Sequence, residues 1–122
     1  MARVLVLGGQ RSGKSRYAEE LVAASRRTPV YVATATAGDG EMAERIAAHV
    51  ARRGSGWRTI EEPLDLPGVL RREALPGNAV LVDCLTLWLT NLMGAERSVE
   101  RETQRLVEAL SEAGGPVVIV SN

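Results

Sequence analysis

The sequence predicts an α/β fold in which a mainly parallel β-sheet carries helices on both faces. Short apolar runs typical of buried strands recur at residues 3–7, 29–33, 79–83 and 116–120. Helical patterns or loops separate these runs, and such an alternation favours parallel strands joined by helices. The 122 residues have the length of one compact domain. We therefore expect the whole chain to form a single domain.

The first strand leads into a glycine-rich loop with the pattern G-x-x-x-x-G-K-S at residues 8–15, and a helical pattern follows at residues 16–24. Strand, loop and helix are the context of a P-loop, in which backbone N–H groups and the helix N-terminus bind phosphates. In that arrangement Lys14 reaches the β- and γ-phosphates, and the Ser15 hydroxyl ligates Mg²⁺. Lys14 is the single lysine beside fourteen arginines, which favours a role for a compact ammonium group. A chance glycine-rich turn is the alternative, but the flanking elements favour nucleotide binding by a P-loop NTPase-like fold.

The second strand leads into small residues at 33–40, which we expect at the carboxyl end of the sheet, where open α/β folds bind ligands. Residues 41–53 then have the pattern of an amphipathic helix. His49, the only histidine, lies at the edge of its apolar stripe. Position alone favours a structural role for this histidine. Arg45 and residues 52–53 lie one turn away and offer guanidinium groups to a phosphate that approaches the imidazole.

The remaining segments are predicted with less regular patterns. Residues 57–78 are interrupted by proline and glycine, and a short helix is predicted within them at residues 69–74. Residues 99–113 have the pattern of another amphipathic helix. Ser121 and Asn122 fall at the carboxyl end of the last predicted strand, where a site loop begins. We therefore expect that a C-terminal portion is absent from this chain.

Asp83 ends an apolar strand, which is the pattern of the second P-loop element that binds Mg²⁺ directly or through water. A cap at the strand end is the alternative role. Cys84 follows Asp83 and is expected to be a small buried hydrophobic residue of the strand rather than a nucleophile.

Composition excludes several classes of function. Fifteen acidic and fifteen basic residues cancel, so no bulk positive field attracts nucleic acid. A single cysteine supplies neither an internal disulfide nor a cluster of metal ligands. The sequence has no signal-peptide pattern and no apolar run long enough to span a bilayer. We therefore expect a cytoplasmic protein without a membrane span.

Several segments together resemble one enzyme family. Most specific is D-x-E-M-x-x-R-I-x-x-H at residues 39–49; the other matching segments are residues 8–16, 31–35, 57–63, 82–92 and 118–122. They resemble the bifunctional adenosylcobinamide kinase/adenosylcobinamide-phosphate guanylyltransferases of cobalamin biosynthesis. The resemblance implies phosphorylation of adenosylcobinamide with ATP or GTP, followed by transfer of GMP from GTP through a histidine-GMP intermediate. It also implies a homotrimer, and the P-loop pattern predicts Mg²⁺ as cofactor.

By this resemblance His49 matches the histidine that carries GMP, and Lys14 is the second catalytic candidate. Metal candidates are Ser15 and Asp83. The family's nucleotide contacts carry over to Gly8, Gly9, Gln10, Arg11, Ser12, Gly13, Lys14, Ser15, Ala33, Thr34, Ala35, Val50, Ala51, Arg52, Arg53, Glu61 and Asp83. The alternatives are a simple P-loop small-molecule kinase, in which His49 is structural, and a GTP-binding switch. The switch is disfavoured because the sequence contains no N-K-x-D guanine motif.

Overall fold

The computed structural model of the chain describes residues 3–9, 12–35, 44, 47–48, 51 and 56–121. Within these residues lie the strands β1 (Arg3–Leu7), β2 (Thr28–Ala33), β3 (Arg58–Glu61), β4 (Asn78–Asp83) and β5 (Val117–Ser121). The helices are α1 (Lys14–Ala24), α2 (Leu66–Glu73), α3 (Leu85–Gly94) and α4 (Val99–Glu112). None of the helices among the described residues is long and apolar enough to cross a membrane.

The five strands form one sheet in the order β1-β5-β4-β2-β3, and every neighbouring pair is parallel. Because the strands are parallel, all their carboxyl ends meet at one edge of the sheet. The register places Leu7 opposite Ser121 and Asp83 opposite both Val120 and Ala33. The end of β1, where the glycine-rich loop begins, and Asp83 therefore share this edge, with only β5 between their strands.

Both faces of the sheet are covered by helices, as the sequence predicts. On one face α1 buries Ala18 and Val22 against a cluster that includes Leu81 of β4 and Val120 of β5. The opposite face packs against α2, α3 and α4 in a second cluster centred on the fully buried Trp88. Strands buried on both faces require nearly continuous apolar sequence, which explains why the patterns of β2, β4 and β5 are recognisable.

The helices on the second face are tied to one another through polar groups. The Asp65 side chain caps α2 by accepting a hydrogen bond from the Gly68 N–H at 3.2 Å. Arg105 of α4 reaches the same carboxylate at 3.3 Å and bonds Glu102 at 2.7 Å. The hydrogen bond and charge of Glu102 raise the pKa of Arg105 above its ordinary value, so the guanidinium group keeps its positive charge.

Some elements differ from the sequence predictions. Strand β3 and helix α3 were not predicted, and α2 begins three residues before the predicted helix at 69–74. Cys84 lies beyond the end of β4 and is half-buried, so its assignment to the buried strand is wrong. Its thiol accepts a hydrogen bond from the Leu87 N–H at 3.3 Å and caps α3. The predicted helix at 41–53 lies mostly outside the described residues.

Candidate nucleotide-binding site

The glycine-rich loop connects β1 to α1, as a P-loop requires. Gly13 immediately precedes the helix with φ 81° and ψ 9°, and its carbonyl oxygen accepts the hydrogen bond from the Tyr17 N–H at 3.0 Å. Neither a capping side chain nor an acidic residue is present in the first turn of α1. The first N–H groups of a helix need partners from outside the helix, and its positive dipole end attracts anions. This helix end is therefore suited to a phosphate group.

Lys14 lies where it can act on the same anion. Its Nζ donates a hydrogen bond to the Gly9 carbonyl oxygen across the loop at 3.1 Å. A cavity of about 440 Å³ adjoins the loop and is lined by Ser12, Gly13, Lys14 and residues of β1. Gly8 packs closely at the base of the loop, because a Cβ added there would lie 2.5 Å from the Ser12 Oγ. The absence of a side chain at Gly8 thus permits the compact loop.

Asp83 ends β4 on the face of the sheet that α1 covers. Leu81 packs in the α1 cluster, and alternate residues of a strand point to the same face. The Asp83 Oδ2 accepts a hydrogen bond from the Tyr31 hydroxyl at 2.6 Å. Ser15 is in the first turn of α1. Its hydroxyl group and the Asp83 carboxylate are the candidate metal ligands.

The two oxygen donors suit a magnesium ion that is held jointly by protein and nucleotide, rather than a metal site built from protein ligands alone. No group of three or more His, Cys, Asp or Glu side chains suited to a metal occurs among the described residues. Magnesium is commonly held by one or two carboxylates together with substrate phosphates and water. Ser15 and Asp83 are therefore candidates to hold Mg²⁺ together with the phosphates of a bound nucleotide.

Hydrogen bonds tie Thr34, directly after β2, to the chain that follows Asp83. Thr34 is fully buried, and its hydroxyl donates to the Cys84 carbonyl oxygen at 2.8 Å and accepts from the Cys84 N–H at 3.0 Å. Asn91 of α3 donates through its amide nitrogen to the carbonyl oxygens of Thr34 at 2.9 Å and Pro63 at 3.1 Å. The Thr34 side chain thus braces the chain after Asp83.

The carboxyl ends of β2 and β3 lie side by side. Ala33 is paired with Glu61 at the end of β3, and the Ala33 carbonyl oxygen accepts a hydrogen bond from the Glu62 N–H at 2.8 Å. The Glu61 residue is exposed. The structure therefore brings the predicted contacts at residues 33–35, Glu61 and Asp83 to one edge of the sheet, together with the P-loop.

Other predicted site residues are not placed in this way. Ala51 is helical and exposed, as are Glu44, Ala47 and Ala48. The remaining predicted site residues lie outside the described part of the chain: Gln10, Arg11, His49, Val50, Arg52 and Arg53. Their roles stay predictions.

Sequence reasoning missed two residues that organise the site, Tyr31 and Asn91. Tyr31 is the single aromatic residue of β2, in a run otherwise made of small or aliphatic residues and one threonine. Asn91 is the one amide in the largely apolar helix α3. A polar group within an apolar element is a signal for a specific partner, because a buried polar group requires a hydrogen bond.

A glycine-rich loop with the P-loop pattern between β1 and α1, and an acidic strand end on the sheet face that α1 covers, are the arrangement found in P-loop nucleotide-binding proteins. The sequence profile of the family described as cobinamide kinase / cobinamide phosphate guanyltransferase matches residues 4–122. The chain belongs to this family of bifunctional enzymes. The resemblance stated from the sequence motifs and the predicted fold class are therefore confirmed.

Curated relatives support the same assignment. The chain is 55% identical over 122 residues to the bifunctional adenosylcobalamin biosynthesis protein CobP of Pseudomonas aeruginosa, covering 98% of this chain and 70% of the relative. It is 35% identical over 134 residues to the bifunctional adenosylcobalamin biosynthesis protein CobU of Escherichia coli, covering 98% of this chain and 74% of that protein. The protein of the same name from Salmonella typhimurium is 36% identical over 134 residues with the same coverage.

Proposed function

We propose that this chain phosphorylates adenosylcobinamide with ATP or GTP and then transfers GMP from GTP to adenosylcobinamide phosphate. The products are adenosylcobinamide-GDP and pyrophosphate. The observation that carries the proposal is the P-loop at the start of α1 together with Asp83 on the same sheet face, in a member of the cobinamide kinase family. Both reactions use a nucleoside triphosphate, so both depend on this arrangement.

In the kinase reaction the chain binds and orients the triphosphate. The substrate hydroxyl oxygen attacks the γ-phosphorus, the bond from this phosphorus to the bridging oxygen breaks, ADP or GDP leaves, and the hydroxyl proton passes to water. Phosphoryl transfer is accelerated mainly by positioning and by stabilisation of charge on the transferred group. We assign these tasks to the N–H groups at the start of α1 and to the ammonium of Lys14.

In the transfer reaction we assign the nucleophile to His49. An imidazole nitrogen attacks the α-phosphorus of GTP, a P–N bond forms, the bond to the bridging oxygen breaks, and pyrophosphate leaves. A phosphate oxygen of adenosylcobinamide phosphate then attacks the same phosphorus, and breakage of the P–N bond returns the imidazole. A covalent intermediate of this kind divides one difficult transfer into two easier steps.

We further propose that Ser15 and Asp83 hold Mg²⁺ with the bound nucleotide. When bound, the cation neutralises charge on the phosphate oxygens. Family resemblance also supports a cytoplasmic protein that forms a homotrimer. Light scattering after gel filtration measures the mass of the assembly and so tests the trimer.

The test of the proposed function is a product analysis. The chain is incubated with adenosylcobinamide, GTP and Mg²⁺, and the corrinoid products are identified by mass spectrometry. Adenosylcobinamide-GDP together with pyrophosphate is expected. Adenosylcobinamide phosphate alone would instead assign a simple kinase, and reversible GTP binding without a corrinoid product would assign a binding protein.

A further inference from the structure

We propose that Tyr31 is a positioning residue for Asp83, which its hydroxyl holds in the orientation needed to receive a nucleotide-bound magnesium ion. The proposal deepens the proposed function, and it rests on that function only in taking the P-loop site to bind a magnesium nucleotide. The contact that carries it is the hydrogen bond from the Tyr31 hydroxyl to the Asp83 Oδ2 at 2.6 Å.

The position of Tyr31 is determined by the sheet register. Tyr31 of β2 lies opposite Leu81 of β4, and Asp83 lies two residues further towards the carboxyl edge. Tyr31 and Leu81 share the cluster beneath α1, so Asp83 points to the same face. Tyr31 and Asp83 are diagonal neighbours on this face. Aromatic side chains are long enough to span the distance between such neighbours on adjacent strands.

The tyrosine ring is itself held firmly. Tyr31 is only 3% exposed and belongs to the α1 cluster together with Leu81 of the neighbouring strand β4. A buried ring in a close-packed cluster has little freedom to reorient. The final torsion of an aspartate side chain is broad when unconstrained. A fixed donor therefore narrows the range of carboxylate orientations before the nucleotide arrives.

The chemistry of the donor suits a residue that must retain its negative charge. A short hydrogen bond to an ionised carboxylate is stronger than one between neutral groups. The hydroxyl is uncharged, whereas a lysine or arginine partner would add a positive charge beside Asp83 and weaken its attraction for a cation. Tyr31 thus orients the carboxylate without neutralising it.

The test uses Tyr31→Phe, which removes the hydroxyl and retains the ring. The dissociation constant of GTP is measured by calorimetry, without corrinoid, in EDTA and over a magnesium titration. All proteins compared carry His49→Ala, so that no GMP adduct forms during the measurement. We expect the GTP affinity in EDTA to change by less than about 2-fold and the tightening produced by Mg²⁺ to fall by about 10-fold. That loss is the size expected for one hydrogen bond to a charged group.

A double-mutant cycle separates positioning from a general effect on the fold. In an Asp83→Asn background, Tyr31→Phe is expected to have no further effect on the magnesium dependence, because the oriented carboxylate is already lost. The matched control is Thr86→Val, which removes a hydroxyl bonded to Ser121 at 2.7 Å on the opposite face of the sheet. This control is expected to retain the parent's magnesium dependence.

Three results would overturn the proposal: an unchanged magnesium dependence in Tyr31→Phe, an equal loss of GTP affinity with and without Mg²⁺, or the same loss in the Asp83→Asn background. Thermal unfolding of each variant identifies a loss that comes from the fold. Since the measurement needs neither corrinoid nor covalent chemistry, its outcome is independent of whether the chain forms adenosylcobinamide-GDP.

Discussion

Replacement of Gly13 by alanine tests whether the backbone geometry of the P-loop determines both stability and phosphate binding. Gly13 has φ 81° at the start of α1, and an alanine in this left-handed region is disfavoured by about 1–2 kcal/mol. An added Cβ would meet no heavy atom of the described residues within 4 Å, so the penalty comes from the backbone alone. Alanine also restricts the unfolded chain by about 0.4–1 kcal/mol. The net expectation is a loss of about 1 kcal/mol in the free energy of unfolding.

The assay is urea unfolding of the nucleotide-free protein, with GTP affinity measured in parallel. Gly9→Ala is the matched control, because its added Cβ also meets no described heavy atom within 4 Å and its φ lies outside the left-handed range. The control is expected to be as stable as the parent or slightly more stable. Gly13→Ala should also bind GTP at least about 10-fold more weakly, because relief of the strain turns N–H groups away from the phosphate. A Gly13→Ala protein with the parent's stability and GTP affinity would refute this reasoning.

Further substitutions test the charged groups of the site and one helix end. Lys14→Ala should abolish both kinase and guanylyltransfer activities. It should leave the unfolding curve unchanged, since it removes a cation from a polar loop. Near-parental kinase turnover would show that the P-loop assignment is wrong. Asp83→Asn should slow both reactions by roughly 10²–10³, the usual loss for one preorganised electrostatic contact, while GTP still binds; an unchanged Mg²⁺ dependence would assign Asp83 a structural role. Glu96 follows α3 with φ 56°, and its backbone N–H donates a hydrogen bond to the Met93 carbonyl oxygen at 3.1 Å. Glu96→Gly should therefore stabilise the chain by about 0.5–1 kcal/mol in urea unfolding, because it removes the strain and keeps the hydrogen bond. A lower unfolding midpoint in that variant would contradict the strain argument.

The parts of the fold that were predicted are those with strong local patterns. Strands β2, β4 and β5 are buried on both faces and read as continuous apolar runs, and α4 alternates apolar and charged residues with a helical period. Helix α3 was missed because its sequence, LTLWLTNLMG, is apolar on most of its surface and therefore lacks the one-sided periodicity that identifies a helix. Strand β3 has only four residues, which is too short for an alternating pattern to be recognised.

In the candidate site, sequence reasoning identified the contiguous motif but not the contacts that depend on tertiary structure. The P-loop is a contiguous motif, so its residues could be recognised without knowledge of the fold. The bond between Tyr31 and Asp83 joins residues 52 positions apart and depends on the pairing of β2 with β4. The bonds from Asn91 to the Thr34 and Pro63 carbonyl oxygens depend on the placement of α3 against two loops. Local sequence carries no information about register or helix placement of this kind, and these contacts became visible only with the tertiary structure.

His49, as we propose, carries GMP in the transfer reaction and is dispensable in the kinase reaction. The most direct test is incubation of the parent and His49→Ala with GTP labelled at the α-phosphorus. The proteins are then denatured and treated with acid or alkali. Kinase turnover is measured on the same samples before denaturation. We expect the parent to retain a covalent label that acid removes and alkali does not, as a phosphoramidate requires, and His49→Ala to take up no label while phosphorylating adenosylcobinamide at a substantial rate. A label that persists in His49→Ala, or one that is stable in acid and lost in alkali, would contradict the assignment of His49 as the nucleophile.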